Sequence, residues 1–201
     1  MFTKRTLLPV LTLPMFLLAL PAYAQEEAYE GARETAEMDP MMEAWIEAGK
    51  PGTEHAWLGQ LAGDWDIAVK MLNMGPEPVT STATSHMEMA LDGRFLLEEI
   101  QGTFMDQPFH ANQATGYNNV TGQFEQGWID NFSTGIYKYT GSREGNRLTM
   151  WGEMKDPATG EMVKSKSEAV LVSPDRLEIT GYEDRGSGWQ KTMEIVYTRQ
   201  Q

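Results

Sequence analysis

The sequence predicts an all-β fold: a barrel of about ten antiparallel strands, with a short helix at one end and an N-terminal amphipathic helix. Three observations carry that expectation. From Asp64 to the end of the 201-residue chain, ten segments of strand-like composition follow one another at hairpin spacing. Turn chemistry separates them, at Gly75-Pro76, Leu91-Asp92-Gly93, Asp106-Gln107-Pro108, Asn118 to Gly122, Arg143 to Asn146, Asp156 to Gly160, Ser173-Pro174-Asp175 and Asp184 to Gly188. No helical periodicity interrupts the run, and closing it on itself is the cleanest way to remove exposed edges.

Taken in order, the chain opens with Met1-Phe2-Thr3-Lys4-Arg5, stays free of charge from Leu7 to Leu20, and continues Pro21-Ala22-Tyr23-Ala24-Gln25. A basic start, an apolar stretch and small residues at an Ala-x-Ala site make residues 1–24 a secretory signal peptide, cleaved after Ala24. The apolar stretch is short for a membrane span, which needs about 20 residues, and Pro9 and Pro14 break it. No later stretch is comparable, so no span is expected after cleavage. The chain has no cysteine, and for an exported domain that favours the bacterial periplasm over a disulfide-forming secretory route. The sequons at Asn119-Val120-Thr121 and Asn131-Phe132-Ser133 are then simply turn residues. The net charge is −13, and losing Lys4 and Arg5 makes the mature chain more acidic still. Such a chain as a whole repels nucleic acid and anionic lipid headgroups, which excludes a nucleic-acid role.

Residues 25–51 form a lead-in. Up to residue 36 it is Glu- and Ala-rich, and mobility is expected after cleavage. Met38, Met41, Met42, Trp45 and Ile46 then recur at helical spacing until Gly49-Lys50-Pro51 stops the pattern. This stripe reads as a helix packed on its own domain, or as a Met-rich surface for a partner. The barrel domain covers residues 52–201. Thr53 reads as the N-cap of a short helix holding His55, Trp57, Leu58 and Leu61, with Gly63 as its stop.

Along the strands, apolar and polar residues share faces. Phe124, Gln126, Trp128 and Asp130 alternate on one face. Phe95 and Leu97 alternate with Glu99, Gln101 and Thr103, while Trp189, Met193, Ile195 and Tyr197 share a face with Lys191. Mixed faces of this kind fit a barrel with a partly hydrated cavity as well as one filled by its own side chains. The candidate wall of such a cavity is Phe95, Leu97, Phe109, Trp128, Tyr137, Trp151 and Tyr182. Arg94 and Asp130 are the candidate polar contacts.

Gly63-Asp64-Trp65 is the Gly-x-Trp arrangement that opens lipocalin-like (calycin) barrels, in which the Trp lies across the closed end against an Arg from the last strand. Arg199 stands at that place here, so Gly63, Trp65 and Arg199 are expected to close the barrel. Further motifs follow in order: Thr53-Glu54-His55, Leu61-Ala62-Gly63-Asp64-Trp65, Leu91-Asp92-Gly93-Arg94-Phe95-Leu96, Gln107-Pro108-Phe109-His110, Gly116-Tyr117, Trp128-Ile129-Asp130 and Met193-Glu194-Ile195-Val196-Tyr197-Thr198-Arg199. Together they resemble the bacterial domain-of-unknown-function family 1579 over roughly residues 52–199. The resemblance implies a lipocalin-like barrel and no established activity. The chain departs from the family at Asn118, where Asp is expected after Gly-Tyr. The haem-binding nitrobindins of the calycin group carry a longer Gly-x-Trp-x-Gly-x-Gly motif and a late ligating His. Here Ile67 and Val69 replace the later glycines and no His follows His110, so no haem or other cofactor is expected.

Catalytic constellations are not apparent. Ser133 and Ser187 lie in turns without a partnered His, and a Cys nucleophile is lacking. Glu98 and Glu99 are neighbours and so point to opposite faces. His86 with His110 makes a poor metal site without a third ligand. Asp130 is the one candidate general base, with hydrogen bonding to Arg94 or Tyr139 as its structural alternative. The expected function is non-covalent binding of a small, mainly apolar molecule. Two alternatives stand beside it: a barrel enzyme using Asp130 as base, and a partner-binding module with a filled barrel.

Overall fold

The computed structural model describes residues 38–201; the expected signal peptide and the segment up to residue 37 lie outside the described residues. The chain divides into two units, residues 1–44 and 45–201, and the barrel belongs to the second. Helix α1 spans Pro40–Ala48 and α2 spans Thr53–Gly59. Ten strands follow: β1 Gly63–Met71, β2 Val79–Ala90, β3 Phe95–Phe104, β4 Gln107–Asn118, β5 Gln123–Asp130, β6 Tyr137–Glu144, β7 Arg147–Lys155, β8 Met162–Ser173, β9 Arg176–Asp184 and β10 Gln190–Arg199. Each pairs antiparallel with its sequence neighbour, and β1 also pairs with β10, through Trp65 opposite Arg199 to Met71 opposite Met193. The barrel is closed.

Up-and-down closure gives the barrel two different ends. The turns at 91–94, 119–122, 145–146 and 174–175 lie at the end where β1 starts and β10 finishes, and this is the end that α2 covers. The loops at 72–78, 105–106, 131–136, 156–161 and 185–189 surround the opposite mouth. Met105 and Asp106, the two residues joining β3 to β4, both have positive φ (51° and 60°). That is the type I′ geometry whose twist matches the flanking strands.

Two β-bulges reset the alternation, one between Lys191 and Met193 in β10 and one between Leu171 and Ser173 in β8. An extra residue moves everything beyond it to the other face. Met193, Ile195 and Tyr197 therefore face inward, whereas Lys191 pairs with Tyr182 on the outer wall. Lys191 therefore does not share the face of Met193, Ile195 and Tyr197 that strict alternation predicts for it, and Trp189 lies in the preceding loop.

The lead-in also differs from its expected form. The N-cap of α2 is Gly52, with Thr53 as the first helical residue. A glycine has no side chain with which to cap, and the Nδ1 of His55 instead accepts from the Gly52 N–H at 3.0 Å. None of the residues of α1 is buried, and Trp45 is 73% exposed, so its apolar stripe is not core.

Candidate functional site

The capped end is sealed by two cation–aromatic pairs. Trp65 faces inward, is fully buried, and donates from Nε1 to the Leu61 carbonyl at 2.9 Å. The Arg199 guanidinium carbon lies 4.1 Å from its ring centre. Arg199 donates to the carbonyls of Gln60 (2.9 Å), Ala62 (2.6 Å) and Pro174 (2.9 Å). Gly63 is required beside it: φ is +133°, and a Cβ there would collide with the Arg199 Nη1. Across the floor, Arg143 lies 5.4 Å from the Trp57 ring and forms a two-pronged pair with Glu54 at 2.6 and 2.8 Å. Trp57 meets Phe124 edge-on at 6.1 Å, and Leu58 is fully buried. α2 is thereby fixed as a plug.

Above this floor lies a polar group that the sequence reading missed. Glu98 points inward from β3 and is buried. Its Oε1 accepts from the Ser85 hydroxyl at 2.7 Å and from the Tyr197 hydroxyl at 3.2 Å. Burial pushes the carboxyl above the usual carboxylate range, against the lowering effect of those two bonds. Burial, reinforced by Glu98, likewise raises the Tyr197 hydroxyl well above its ordinary value. The signal for Glu98 was in the sequence: in β3, Leu96, Ile100 and Phe104 alternate with it and make its face the more apolar one.

Toward the mouth the wall is aromatic. Phe109 stacks on Trp128 at 6.4 Å, and Phe104 and Phe132 close the cluster at 5.5 to 6.4 Å. Trp128 pairs with Tyr137 across β5 and β6, and Gln126 with Tyr139. Tyr139 lies across Gly152, where a Cβ would strike its ring. Burial raises its hydroxyl pKa, with Tyr137, Asp130 and Glu183 adding to the effect. Asp130 is committed on both oxygens, accepting from Trp128 Nε1 at 2.8 Å and from the Phe132 N–H at 2.9 Å. It orients the tryptophan and the turn. Its bonds are to neither Arg94 nor Tyr139.

Of the residues expected in the wall, Phe109, Trp128, Asp130 and Tyr137 face inward, and five others do not. Phe95 and Leu97 are exposed on the outer wall, because β3 turns Leu96, Glu98 and Ile100 inward. Trp151 is outward and 43% exposed, because Leu148 and Met150 take the inward positions of β7. Tyr182 pairs with Lys166 and Lys191 on the outer wall, with the Lys166 Nζ 4.2 Å from its ring. Arg94 precedes β3 at the capped end and donates to the carbonyls of Gly49 (2.9 Å) and Leu91 (3.0 Å). It tethers the lead-in, together with Asn119, which donates to the Ala48 and Lys50 carbonyls.

Mid-strand, the inward residues Ser167, Ala169, Ile179, Ile195 and Met193 are only partly buried, although their strands are paired on both sides. A concavity of about 940 Å³ lies on the outer wall, lined mainly by outward residues such as Asp66, Thr82, Thr84, Gln101 and Thr103. His86 is also outward. Its Nδ1 lies 2.6 Å from Asp64, and that bond raises its pKa.

A closed antiparallel barrel with a helical plug, a buried acid above the floor and an aromatic mouth defines a small-barrel protein of the lipocalin-like type. The chain belongs to the family described as "Protein of unknown function (DUF1579)", whose model matches residues 50–199. Its fold is similar to that in the crystal structure of Rv2717c from M. tuberculosis. The identity is 15%, the TM-score is 0.53, and the match covers 76% of this chain and 100% of that one; at that identity the likeness concerns the fold alone. Nothing among curated proteins matches.

Proposed function

We propose that the barrel binds a small, mainly apolar molecule, non-covalently, with its apolar body between the aromatic mouth and the floor. The observation that carries this reading is the partial accessibility of Ala169, Ile179 and Ile195. These residues face inward in the middle of strands paired on both edges, where a hollow barrel leaves inward side chains in contact with solvent. Below them Trp65, Phe124 and Leu177 are closed off. Phe109, Trp128, Tyr137 and Tyr139 supply an aromatic wall, and Gln113, Gln126 and Glu98 a few polar groups, which is the usual make-up of a small-molecule pocket. Asp130 as catalytic base gains nothing from its two occupied oxygens. The Ala-x-Ala site and apolar stretch of residues 1–24 support a further part of the proposal, that the protein works in the periplasm after cleavage following Ala24.

Titration with an uncharged apolar fluorophore such as N-phenyl-1-naphthylamine tests the binding reading. Emission should rise on saturable binding to the wild type and not to Ala169→Trp, whose indole would fill the lumen. Equal binding to a folded A169W protein would contradict it.

A further inference from the structure

Four of the five mouth loops carry an exposed apolar side chain, and one borders the fifth. Met74 lies on the 72–78 loop, Met105 on the β3–β4 turn, and Phe132 and Ile136 on the 131–136 loop. Met162 follows the 156–161 loop and Trp189 closes the 185–189 loop; the six are between 42 and 67% exposed. At the capped end Leu91 and Val120 are exposed on turns, with Phe95 and Val172 exposed beside them. Because the strands close into a barrel, Met74, Met105, Ile136 and Met162 form an apolar annulus around the mouth, with Phe132 packed inside it on Phe104 and Phe109 and Trp189 laid back over Lys166.

Behind this annulus runs a belt of lysines. Lys70, Lys138, Lys155, Lys164 and Lys191 all lie within three residues of the mouth end of their strands and point outward by register. Lys70 and Lys191 share Glu194; Lys138, Lys155 and Lys164 have no ion-pair partner among the described residues. The arginines are distributed the other way. Among the described residues, Arg94, Arg143, Arg147, Arg176 and Arg199 serve the capped end, and only Arg185, paired with Asp156 and Glu183, stands at the mouth. Glu77, Asp106, Asp156, Glu161 and Asp184 sit on or beside the same loops, so the mouth is mixed in charge.

We propose that the mouth docks on a zwitterionic phospholipid bilayer, the apolar annulus entering the interface and the lysine belt meeting headgroup phosphates. Apolar tips with hydrated ammonium groups set one step behind them match the layering of a bilayer surface, where long side chains keep their charge in the headgroup region. A ring of loop tips suits a flat apolar slab better than a groove-binding segment. The overall negative charge disfavours a strongly anionic membrane, whereas a zwitterionic surface offers phosphates without net repulsion. Docked this way, the lumen would open directly onto the acyl region. The proposal does not depend on what the lumen holds.

The absence of cysteine makes the test site-specific. The single variants M105C, I136C and V120C, labelled with an environment-sensitive nitrobenzoxadiazole group, are mixed with vesicles of phosphatidylcholine and phosphatidylethanolamine. A several-fold emission rise with a blue shift is expected at positions 105 and 136, with no change at 120, which lies at the capped end. These exposed turn positions should tolerate the change, and circular dichroism checks that each variant is folded. Silence at both mouth positions, or an equal response at 120, would overturn the proposal. So would a response at the mouth that follows protein concentration without vesicles, which would identify a second copy of the chain as the occupant.

Discussion

Arg199, near the end of the chain, lies against the face of Trp65, the third residue of the first strand, with its guanidinium carbon 4.1 Å from the ring centre. The contact joins the first and last strands of the barrel, and the same guanidinium donates to three backbone carbonyls. Lysine at this position would keep the charge but lose the planar fork that reaches several acceptors at once.

Arg199→Ala should therefore lower stability by about 2–4 kcal/mol, the sum of a partly desolvated cation–π contact and charged hydrogen bonds. Arg199→Lys should recover only part of the loss. Gly63→Ala should be destabilising too, because its Cβ would take the place of Nη1. Urea unfolding at neutral pH reads all three.

The inward and outward faces can be checked by paired truncations. Phe124 is almost fully buried against Trp57 and Tyr117, and Phe124→Ala should cost about 3–5 kcal/mol. Trp151→Ala, on the outer wall, should cost less than about 1 kcal/mol. Similar losses from both would mean that β7 is turned the other way.

Glu98 should leave a signature in the pH dependence of stability. Its pKa in the folded protein is raised, so between its unfolded value of about 4.3 and its folded value the native state binds the extra proton. Its contribution is fully present below the unfolded value and is lost as pH rises toward the folded one. Glu98→Gln keeps a neutral donor and acceptor and cannot ionise. The stability of E98Q relative to the wild type should therefore increase from pH 4 to pH 8, as measured by melting temperature in matched buffers. A difference that stays flat with pH would contradict the buried, proton-retaining carboxyl.

Ten strands, their turns and the Trp65–Arg199 closure were legible because each depends on local chemistry: alternation, Gly- and Pro-bearing turns, and one motif with its distant partner. The lumen was only half legible. β5 alternates plainly, and Phe124, Trp128 and Asp130 face the way the sequence suggests. In β3, Phe95-Leu96-Leu97 offers apolar residues to both faces, and large residues drew the reading to the wrong one, hiding Glu98. In β10 the bulge between Lys191 and Met193 changes the alternation, and no residue type there announces it. Trp151 and Tyr182 misled for a different reason. Aromatic residues also stabilise the outer face of a sheet through cross-strand pairs, as Tyr182 does with Lys166. The capping role of His55 depends on the backbone angle at Gly52, which only the fold supplies.

The central claim, that the barrel holds a small apolar molecule, is tested most directly by native mass spectrometry of the protein purified from its native cells, before and after organic extraction. The account expects a reproducible extra mass that extraction removes and that A169W protein lacks. A bare polypeptide mass in the wild type, with no adduct when it is challenged with a panel of lipids and small metabolites, would contradict it.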